Sequence, residues 1–148
     1  MGHSLGKNLL HIVYSTKRRQ PMIPRELAPQ LYSYLGAICV SNRCAVHAIG
    51  GMEDHVHIAC TLHRTLALSD LVEQLKGSSS RWMKGKGIRG FYWQGGYGGF
   101  SFAQSDLPRI ITYIHNQERH HGTQSFEAEY VELLDRYEIE YDPRDLWE

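Results

Sequence analysis

Two histidines separated by one apolar residue, His55 and His57, have the type and spacing to do chemistry. Successive side chains of a β-strand point to opposite faces, so both imidazoles would project from the same side of a strand. Val56, Ile58 and Cys60 would then enter the core on the other side. The two imidazoles form a platform on one rigid element, and its meaning depends on what faces it. The pattern is weak on its own, because two histidines that merely share a strand face would give it too.

A tyrosine and a glutamine four residues apart, Tyr113 and Gln117, are the second group of candidates. This spacing places both side chains on one face of a helix. A phenol with a pKa of about 10 is roughly one part in a thousand phenolate at pH 7, so Tyr113 needs help from its surroundings to act as a nucleophile. A buried tyrosine whose hydroxyl has a hydrogen-bond partner is commoner than a catalytic one. Gln117 alone would be an ordinary surface amide.

The other histidines and the cysteines offer weaker alternatives. His115, His120 and His121 are predicted to be solvated or to face nucleic acid rather than to bind metal. A zinc site is disfavoured, because Cys39 falls on an apolar helical stripe and Cys60 lies on the strand face away from the histidine pair. Three cysteines at irregular positions fit a reducing compartment better than a disulfide framework. The alternative zinc site would draw on Cys39, Cys44, Cys60, His47 and His63.

Charge is segregated along the chain, although its formal net value is zero. Residues 1–117 hold 13 Lys and Arg against 6 Asp and Glu, whereas residues 118–148 hold 3 against 10. No acidic residue occurs between Glu73 and Asp106, where basic and aromatic side chains alternate. Positive charge pairs with phosphates and aromatic faces stack on unpaired bases, so this composition indicates a surface for single-stranded or hairpin nucleic acid. A solvated basic helix end followed by an aromatic strand in the core is the alternative.

The candidate nucleic-acid-binding residues come from this gap and from a basic loop that follows the first predicted strand. A surface for single strands combines a positively charged groove with aromatic side chains. The basic candidates are Lys17, Arg18, Arg19, Lys76, Arg81, Lys84, Lys86 and Arg89, and the interleaved aromatic residues are Trp82, Phe91, Tyr92, Trp93 and Tyr97.

The elements that would position these residues alternate between strand and helix. Runs of apolar and β-branched residues predict strands, and apolar residues at helical spacing predict helices. Pro24 is a good first-turn residue, Ser69 is the predicted cap of the second helix, and Gly50-Gly51 is the predicted turn between the second and third strands. The predicted order is strand 8–16, helix 24–41, strand 45–50, strand 54–62, helix 69–85 and a fourth strand or hairpin within 91–102.

A further predicted helix carries Tyr113. Ser105 or Asp106 is its predicted cap, and apolar residues at helical spacing predict its buried stripe. The stripe consists of Leu107, Ile110, Ile111 and Ile114, and the polar face beside it consists of Arg109, Tyr113, Asn116, Gln117 and His120. An acidic helix is predicted after it, over residues 126–137.

The order β-α-β-β-α-β is that of a ferredoxin-like sandwich, an α+β fold in which one antiparallel sheet carries two helices on one face and leaves the other face free. With 148 residues and 42% hydrophobic composition, the chain is long enough for one domain with a real core. We expect that core over residues 8–122 and an acidic C-terminal helix and tail over 123–148. Because we find no signal-peptide pattern and no apolar run of the roughly 20 residues that a membrane span needs, we expect the protein in the cytoplasm.

Five runs in order along residues 8–142 resemble the single-tyrosine HUH transposases. These are the IS200-like enzymes of bacterial and archaeal insertion sequences and their relatives associated with repetitive extragenic palindromes (REP). Five runs in register are more specific than any one of them. The runs are 11–19, 53–57, 75–80, 93–97 and 113–121.

The resemblance implies a DNA transposase with a ferredoxin-like core and an additional tyrosine-bearing helix. His55, His57 and Gln117 would bind a divalent metal ion, Mg²⁺ or Mn²⁺. Tyr113 would attack single-stranded DNA at hairpin-marked ends and form a 5′-phosphotyrosine. Two imidazoles and an amide oxygen suit Mn²⁺ better than Mg²⁺.

The resemblance also implies a homodimer, in which the tyrosine of one protomer can act beside the histidine pair of its partner. Excision joins two element ends, so two nucleophiles must be held together. The glycine pairs Gly95-Gly96 and Gly98-Gly99 offer mobile backbone before the tyrosine helix, or equally a tight hairpin.

Two other classes of function stay open at this point. RNA-recognition folds bind single strands on a ferredoxin-like sheet with exposed aromatic residues, so a non-catalytic nucleic-acid-binding module is one alternative. Such a module needs no tyrosine that faces a histidine pair. The other alternative is a metal-dependent phosphoesterase that uses activated water, which would tolerate Tyr113→Phe.

Overall fold

An antiparallel sheet of four strands forms the centre of the fold in a computed structural model that describes residues 2–148. The strands are β1 (Asn8–Ser15), β2 (Ala45–Met52), β3 (His55–Leu62) and β4 (Gly98–Ser101). Their order across the sheet is β2-β3-β1-β4, so the histidine-bearing strand β3 is an inner strand between β2 and β1. With the intervening helices this is the β-α-β-β-α-β arrangement. The predicted α+β, ferredoxin-like class is confirmed.

Helices α1 (Ala28–Ser41) and α2 (Leu68–Gly85) cover one face of this sheet. Ile12 of β1 and Ile58 of β3 are fully buried beneath them. The predicted cap of α2 is wrong, since the helix begins at Leu68 and Ala67 is its N-cap. The earlier start lets the side chain of Leu68 pack against the core.

The second face of the sheet is covered as well, contrary to the expectation that it is free. Helices α3 (Leu107–His115) and α4 (Gln117–His120) lie against β2 and β3, and α5 (Phe126–Arg136) packs on β1 and β4. Part of the physical reason is that the inner strands also carry apolar side chains on this second face, beside the histidines. Val13 and Ala59 point to this second face and are fully buried. A sheet buried on both sides needs such near-continuous apolar runs.

The hairpin between β2 and β3 turns at Glu53-Asp54 and not, as predicted, at Gly50-Gly51. Gly50 lies within β2 and pairs with His57. A Cβ atom on Gly50 would collide with the backbone carbonyl of Ile114 in α3. The glycine therefore marks the close approach of a helix to the sheet and not a turn.

Within the predicted fourth-strand segment, only Gly98–Ser101 pairs as a strand, along the outer edge of β1. Phe91 and Trp93, which precede it, are buried in the core. The indole Nε1 of Trp93 donates a hydrogen bond to Ser79 Oγ at 2.9 Å. For these two aromatic residues the alternative of core packing is therefore correct.

The acidic C-terminal region packs against the rest of the chain. The helix predicted over residues 126–137 is confirmed as α5. Trp147 contacts Phe126 and Tyr130, with ring centroids 5.7 and 5.5 Å away. The backbone N–H of Arg18 donates to the carbonyl of Trp147 at 3.0 Å. Across residues 2–148, no helix is long and apolar enough to cross a membrane.

Candidate active site

The histidine pair lies on the face of β3 that α3, α4 and α5 cover. Neither His55 nor His57 has exposed surface, because the strand alternation turns both rings under these helices. His55 Nδ1 lies 2.7 Å from Asp54 Oδ1, and His55 Nε2 lies 2.9 Å from Gln117 Oε1. The two imidazoles therefore present their Nε2 atoms to side chains of the covering helices.

Tyr113 and Gln117 both reach this site, although not from one continuous helix as predicted. Helix α3 ends at His115, Asn116 is its C-cap, and α4 begins at Gln117. Gln117 is nevertheless only 1% exposed, so it is not a surface amide. The ring of Tyr113 stands edge-on to that of His57, with centroids 5.7 Å apart.

A buried carboxylate that was not predicted, Glu129 of α5, joins the tyrosine to the histidine pair. Its Oε2 atom accepts a hydrogen bond from the Tyr113 hydroxyl, and its Oε1 atom accepts one from His57 Nε2 at 2.9 Å. Gln117 Nε2 donates to Oε2 at 3.4 Å. The Glu129 side chain is 2% exposed, so water does not compete for these contacts.

His121 is also part of the site, which corrects the expectation that it is solvated. Its side chain is 7% exposed, and its Nε2 lies 2.9 Å from Gln117 Oε1 and 3.2 Å from Glu129 Oε1. The carbonyl of Gln124 lies 2.7 Å from His121 Nδ1 and holds the ring in place. His115, in contrast, is exposed as predicted.

Burial sets the protonation states at the site. Loss of water lowers the pKa of His57 to about 4, against the opposing effect of Glu129. Burial alone would raise the pKa of Glu129, but hydrogen bonds from His121 and His57 outweigh it and hold that pKa well below its usual range. Burial and the negative charge of Glu129 raise the pKa of Tyr113 above its usual value. At neutral pH the site therefore combines a neutral His57 imidazole, an ionised carboxylate and an intact phenol.

The donor atoms at this site fit a divalent metal ion. One ligand atom from each of His55, His57, His121 and Glu129 lies within 4.8 Å of the others, and Gln117 Oε1 adjoins them. Imidazole nitrogens, a carboxylate and an amide oxygen are all ligands of divalent metals. Unprotonated imidazole and ionised carboxylate are also the forms that coordinate metal.

The three cysteines take no part in this cluster. Cys39, Cys44 and Cys60 are buried with the core residues between the sheet and the helices α1 and α2. Among the described residues, the group of His, Cys, Asp and Glu side chains that could hold a metal contains no cysteine. The disfavoured zinc alternative therefore gains no support.

The predicted basic residues divide into two kinds. Lys76 is partly buried, and its Nζ donates to the carbonyls of Gln94, at 2.8 Å, and of Gly96. Arg19 pairs with Glu127 at 2.9 Å and lies over a tryptophan ring. These two cations are therefore engaged within the fold. Other basic side chains lie beside partly exposed aromatic rings: Lys17 and Lys84 beside Tyr92, and Lys86 beside Trp82. The remaining candidates are exposed, namely Arg18, Arg81 and Arg89.

On this ferredoxin-like sheet the strand histidines face a tyrosine helix, and a donor set able to hold a metal ion lies between them. Residues 5–117 match the family described as IS200-like transposases. The match covers most of the chain, which therefore belongs to this family and is a transposase. The family match ends at Gln117, so His121 and Glu129 lie beyond it.

Individual relatives agree with this assignment. The chain is 29% identical over 114 residues to the ISDra2 transposase TnpA of Deinococcus radiodurans, a match that covers 72% of this chain and 81% of that protein. A crystal structure of a proposed transposase from Deinococcus radiodurans R1 superposes with a TM-score of 0.62 and 26% identity, over 79% of this chain and 96% of the other. A REP-associated tyrosine transposase bound to a REP hairpin shares the fold, with a TM-score of 0.60, 15% identity and coverage of 82% and 73%.

Proposed function

We propose that this transposase cleaves and rejoins single-stranded DNA at hairpin-marked ends, with Tyr113 as the nucleophile. The observation that carries the proposal is the convergence of three elements on one carboxylate. Tyr113 of α3 and His57 of β3 each hydrogen-bond a different oxygen of Glu129 in α5. A tyrosine that served only the fold would not need a buried histidine pair and a buried acid beside it.

The proposed cleavage step uses the Tyr113 hydroxyl. Its oxygen attacks the phosphorus, a tyrosine–phosphate bond forms, and the bond to the 3′ oxygen breaks. The leaving 3′ oxygen takes up a proton from water, so the products are a 5′-phosphotyrosine and a free 3′-OH. Glu129 Oε2, which already accepts the phenol hydrogen, is placed to take that proton. Attack by a 3′-OH on the phosphotyrosine reverses the step, so the bond energy is kept for rejoining.

His55, His57 and Gln117 would hold the divalent metal ion, and Glu129 and His121 add two further donor atoms. When bound, the ion would polarise the scissile phosphate and stabilise charge on the leaving 3′ oxygen. A donor set rich in imidazole favours Mn²⁺ over Mg²⁺.

For the DNA itself we propose the basic residues that the fold leaves available. Lys84 Nζ lies 4.1 Å from the ring centre of Tyr92, which is 53% exposed. A cation beside an exposed aromatic face can bind a phosphate while a base stacks on the ring. The proposed surface comprises Lys17, Arg18, Arg81, Lys84, Lys86 and Arg89.

A covalent-adduct assay tests the proposal. We expect the unmodified protein to attach covalently to a hairpin-bearing single-stranded oligonucleotide, and Tyr113→Phe to lose the adduct on denaturing gels while binding stays within a few-fold, because only the attacking oxygen is removed. The matched control is Tyr34→Phe on α1, across the sheet, which should retain the adduct.

The other outcomes separate the alternatives. Cleavage by Tyr113→Phe without an adduct would indicate a phosphoesterase that uses water. Binding by the unmodified protein without any cleavage would indicate a non-catalytic binding module. An adduct that persists in Tyr113→Phe would refute the assignment of the nucleophile.

A further inference from the structure

A third imidazole, His11 of β1, lies directly behind the histidine pair. Its Nε2 atom is 2.7 Å from His57 Nδ1, and the two rings are stacked with centroids 5.0 Å apart and planes 25° apart. His11 is 3% exposed. In the sheet register His57 pairs with Val13, so His11 is its diagonal neighbour on the same face of the adjacent strand.

A metal-ligating imidazole has a second ring nitrogen whose partner fixes the orientation of the ring and the position of its hydrogen. For His55 that partner is Asp54, whose Oδ1 lies 2.7 Å from Nδ1. For His57 the partner of Nδ1 is His11. Each histidine of the pair therefore has its own hydrogen-bond partner at Nδ1. The two partners differ, since an ionised carboxylate only accepts hydrogen bonds whereas a neutral imidazole both donates and accepts them.

This difference matters because His57 Nε2 can face either the Glu129 carboxylate or the proposed metal ion. In the structure its Nε2 points at the ionised Glu129, so Nε2 carries the hydrogen and Nδ1 accepts one from His11 Nε2. A metal ion at Nε2 requires a lone pair there, so the hydrogen of His57 must move to Nδ1 and His11 Nε2 must become the acceptor. A neutral imidazole meets both requirements by moving its own hydrogen to Nδ1.

We propose that His11 is a positioning residue that holds the His57 ring and follows it between these two hydrogen-bonding arrangements, which keeps His57 Nε2 available to metal. The inference rests on the metal-binding role proposed for His57. His11 also stands edge-on to Tyr113, with centroids 6.1 Å apart, so a displaced His57–His11 stack would disturb the nucleophile too.

Calorimetric titration of the metal-free protein with Mn²⁺ tests the positioning role without reference to cleavage. We expect His11→Leu, which neither donates nor accepts, to weaken Mn²⁺ binding about 10- to 100-fold, as is typical when such a supporting partner is lost. His11→Gln keeps both a donor and an acceptor and should stay within a few-fold. The matched control is His47→Leu, which removes another strand imidazole with a side-chain partner, Thr61 at 2.8 Å, and should bind normally.

Nitrogen NMR of the unmodified protein tests the hydrogen transfer, even if His11→Leu fails to fold. On addition of the diamagnetic probe Zn²⁺, the His11 hydrogen should move from Nε2 to Nδ1, and that of His57 from Nε2 to Nδ1. An unchanged His11 signal, or unchanged Mn²⁺ affinity in a folded His11→Leu, would overturn the inference. His57→Ala distinguishes a failure of the proposed metal site from a failure of the role of His11. If His57→Ala also binds Mn²⁺ normally, the proposed metal site is wrong. If His57→Ala loses Mn²⁺ binding and His11→Leu does not, only the role of His11 is wrong.

Discussion

At the scale of single residues, Glu129 is a buried charge that depends on its partners. Replacing Glu129 with Gln keeps its size and removes the charge that accepts hydrogen bonds from Tyr113 and His57. We expect a loss of about 2 kcal/mol in the free energy of unfolding, since a hydrogen bond to a charged group contributes roughly 1.5–3 kcal/mol. Urea unfolding in the presence of EDTA measures it.

The control is Glu127→Gln on the same helix. Glu127 is about half exposed and pairs with Arg19 on the surface, so its loss should cost no more than about 1 kcal/mol. Equal costs for the two variants would contradict a special role of Glu129 in the fold.

Lys76 shows how a residue that looks suited to binding DNA can serve the fold. Burial lowers the pKa of Lys76 to about 8. Between pH 8 and the usual lysine value the unfolded chain binds a proton that the folded chain has lost, so rising pH favours the folded state. We therefore expect the stability margin of the parent over Lys76→Met to grow between pH 7.5 and 10.

Urea unfolding of both proteins at the two pH values measures that margin. Lys86→Met, in which a lysine exposed to solvent is replaced, is the control. A Lys76 margin that is constant, or that shrinks as the pH rises, would show that Lys76 is not buried in the way described.

Residue types and spacing predicted part of this site. The alternation around His55 and His57 predicted two rings on one face, and the structure places Tyr113 and Gln117 beside them. Glu129 was missed although α5 gives a clue, because an acid among Phe126, Tyr130 and Leu133 falls on an apolar stripe. Its partner His57 is 72 residues away in sequence, and no local pattern encodes such a contact.

At the scale of elements, the position of Tyr113 depends on how closely α3 approaches β2. A side chain at Gly50 would meet the backbone of α3, which cannot move as a side-chain tip can. We expect Gly50→Ala to destabilise the protein by about 1–3 kcal/mol, the range typical of overpacking, and to weaken the covalent adduct by displacing Tyr113. Thermal unfolding and the adduct assay measure the two effects.

Gly36→Ala is the matched control for this prediction. Gly36 lies in α1, where an added Cβ would meet only a side-chain methyl at an ordinary contact distance of 3.6 Å. Alanine should stabilise the helix there by up to about 1 kcal/mol. A stable, active Gly50→Ala protein would show that α3 tolerates displacement.

Element prediction succeeded where the hydrophobic period was clear and failed where tertiary packing decided. The strands and the two helices on the first face followed from periodicity. Gly50-Gly51 has the composition of a turn, but both glycines pair within β2. An added Cβ would meet the backbone of Ile114 in α3 at Gly50, and the backbone of His55 in β3 at Gly51. The sequence clue to the covering of the second face was the pair of apolar residues Val13 and Ala59, which lie on the face opposite Ile12 and Ile58.

At the scale of the whole molecule, the two oppositely charged regions of the chain fold against each other. Arg25 pairs with Glu118 at 2.7 Å, and Arg19 pairs with Glu127. The acidic region thus neutralises part of the basic one, while the lysines of α2 form no salt bridge within residues 2–148. The zero net charge is therefore compatible with a local basic surface.

Assembly of two copies is the remaining proposal at this scale. We expect sedimentation at micromolar concentration to give twice the chain mass, because joining two DNA ends requires two nucleophiles. Within the described chain Tyr113 lies beside its own histidines. Mixing Tyr113→Phe protein with His55→Ala-His57→Ala protein tests whether a dimer keeps each tyrosine beside the histidines of its own chain. Cleavage returns only if the tyrosine of one protomer acts beside the histidines of its partner. A monomer with full cleavage activity would contradict the proposal.

With Tyr113 as the proposed nucleophile, the covered second face of the sheet would also limit the shape of the DNA that can react. Helices α3 and α5 occupy the surface on which RNA-recognition domains lay out their bases. What remains beside Tyr113 is a cavity of about 230 Å³ whose lining includes His11, Arg109, Glu129 and Arg136. A cavity of this volume cannot contain a stacked double helix, whereas it can admit a phosphate group of a single strand. The covering helices would then exclude double-stranded DNA from Tyr113 and admit single strands, before any base is recognised.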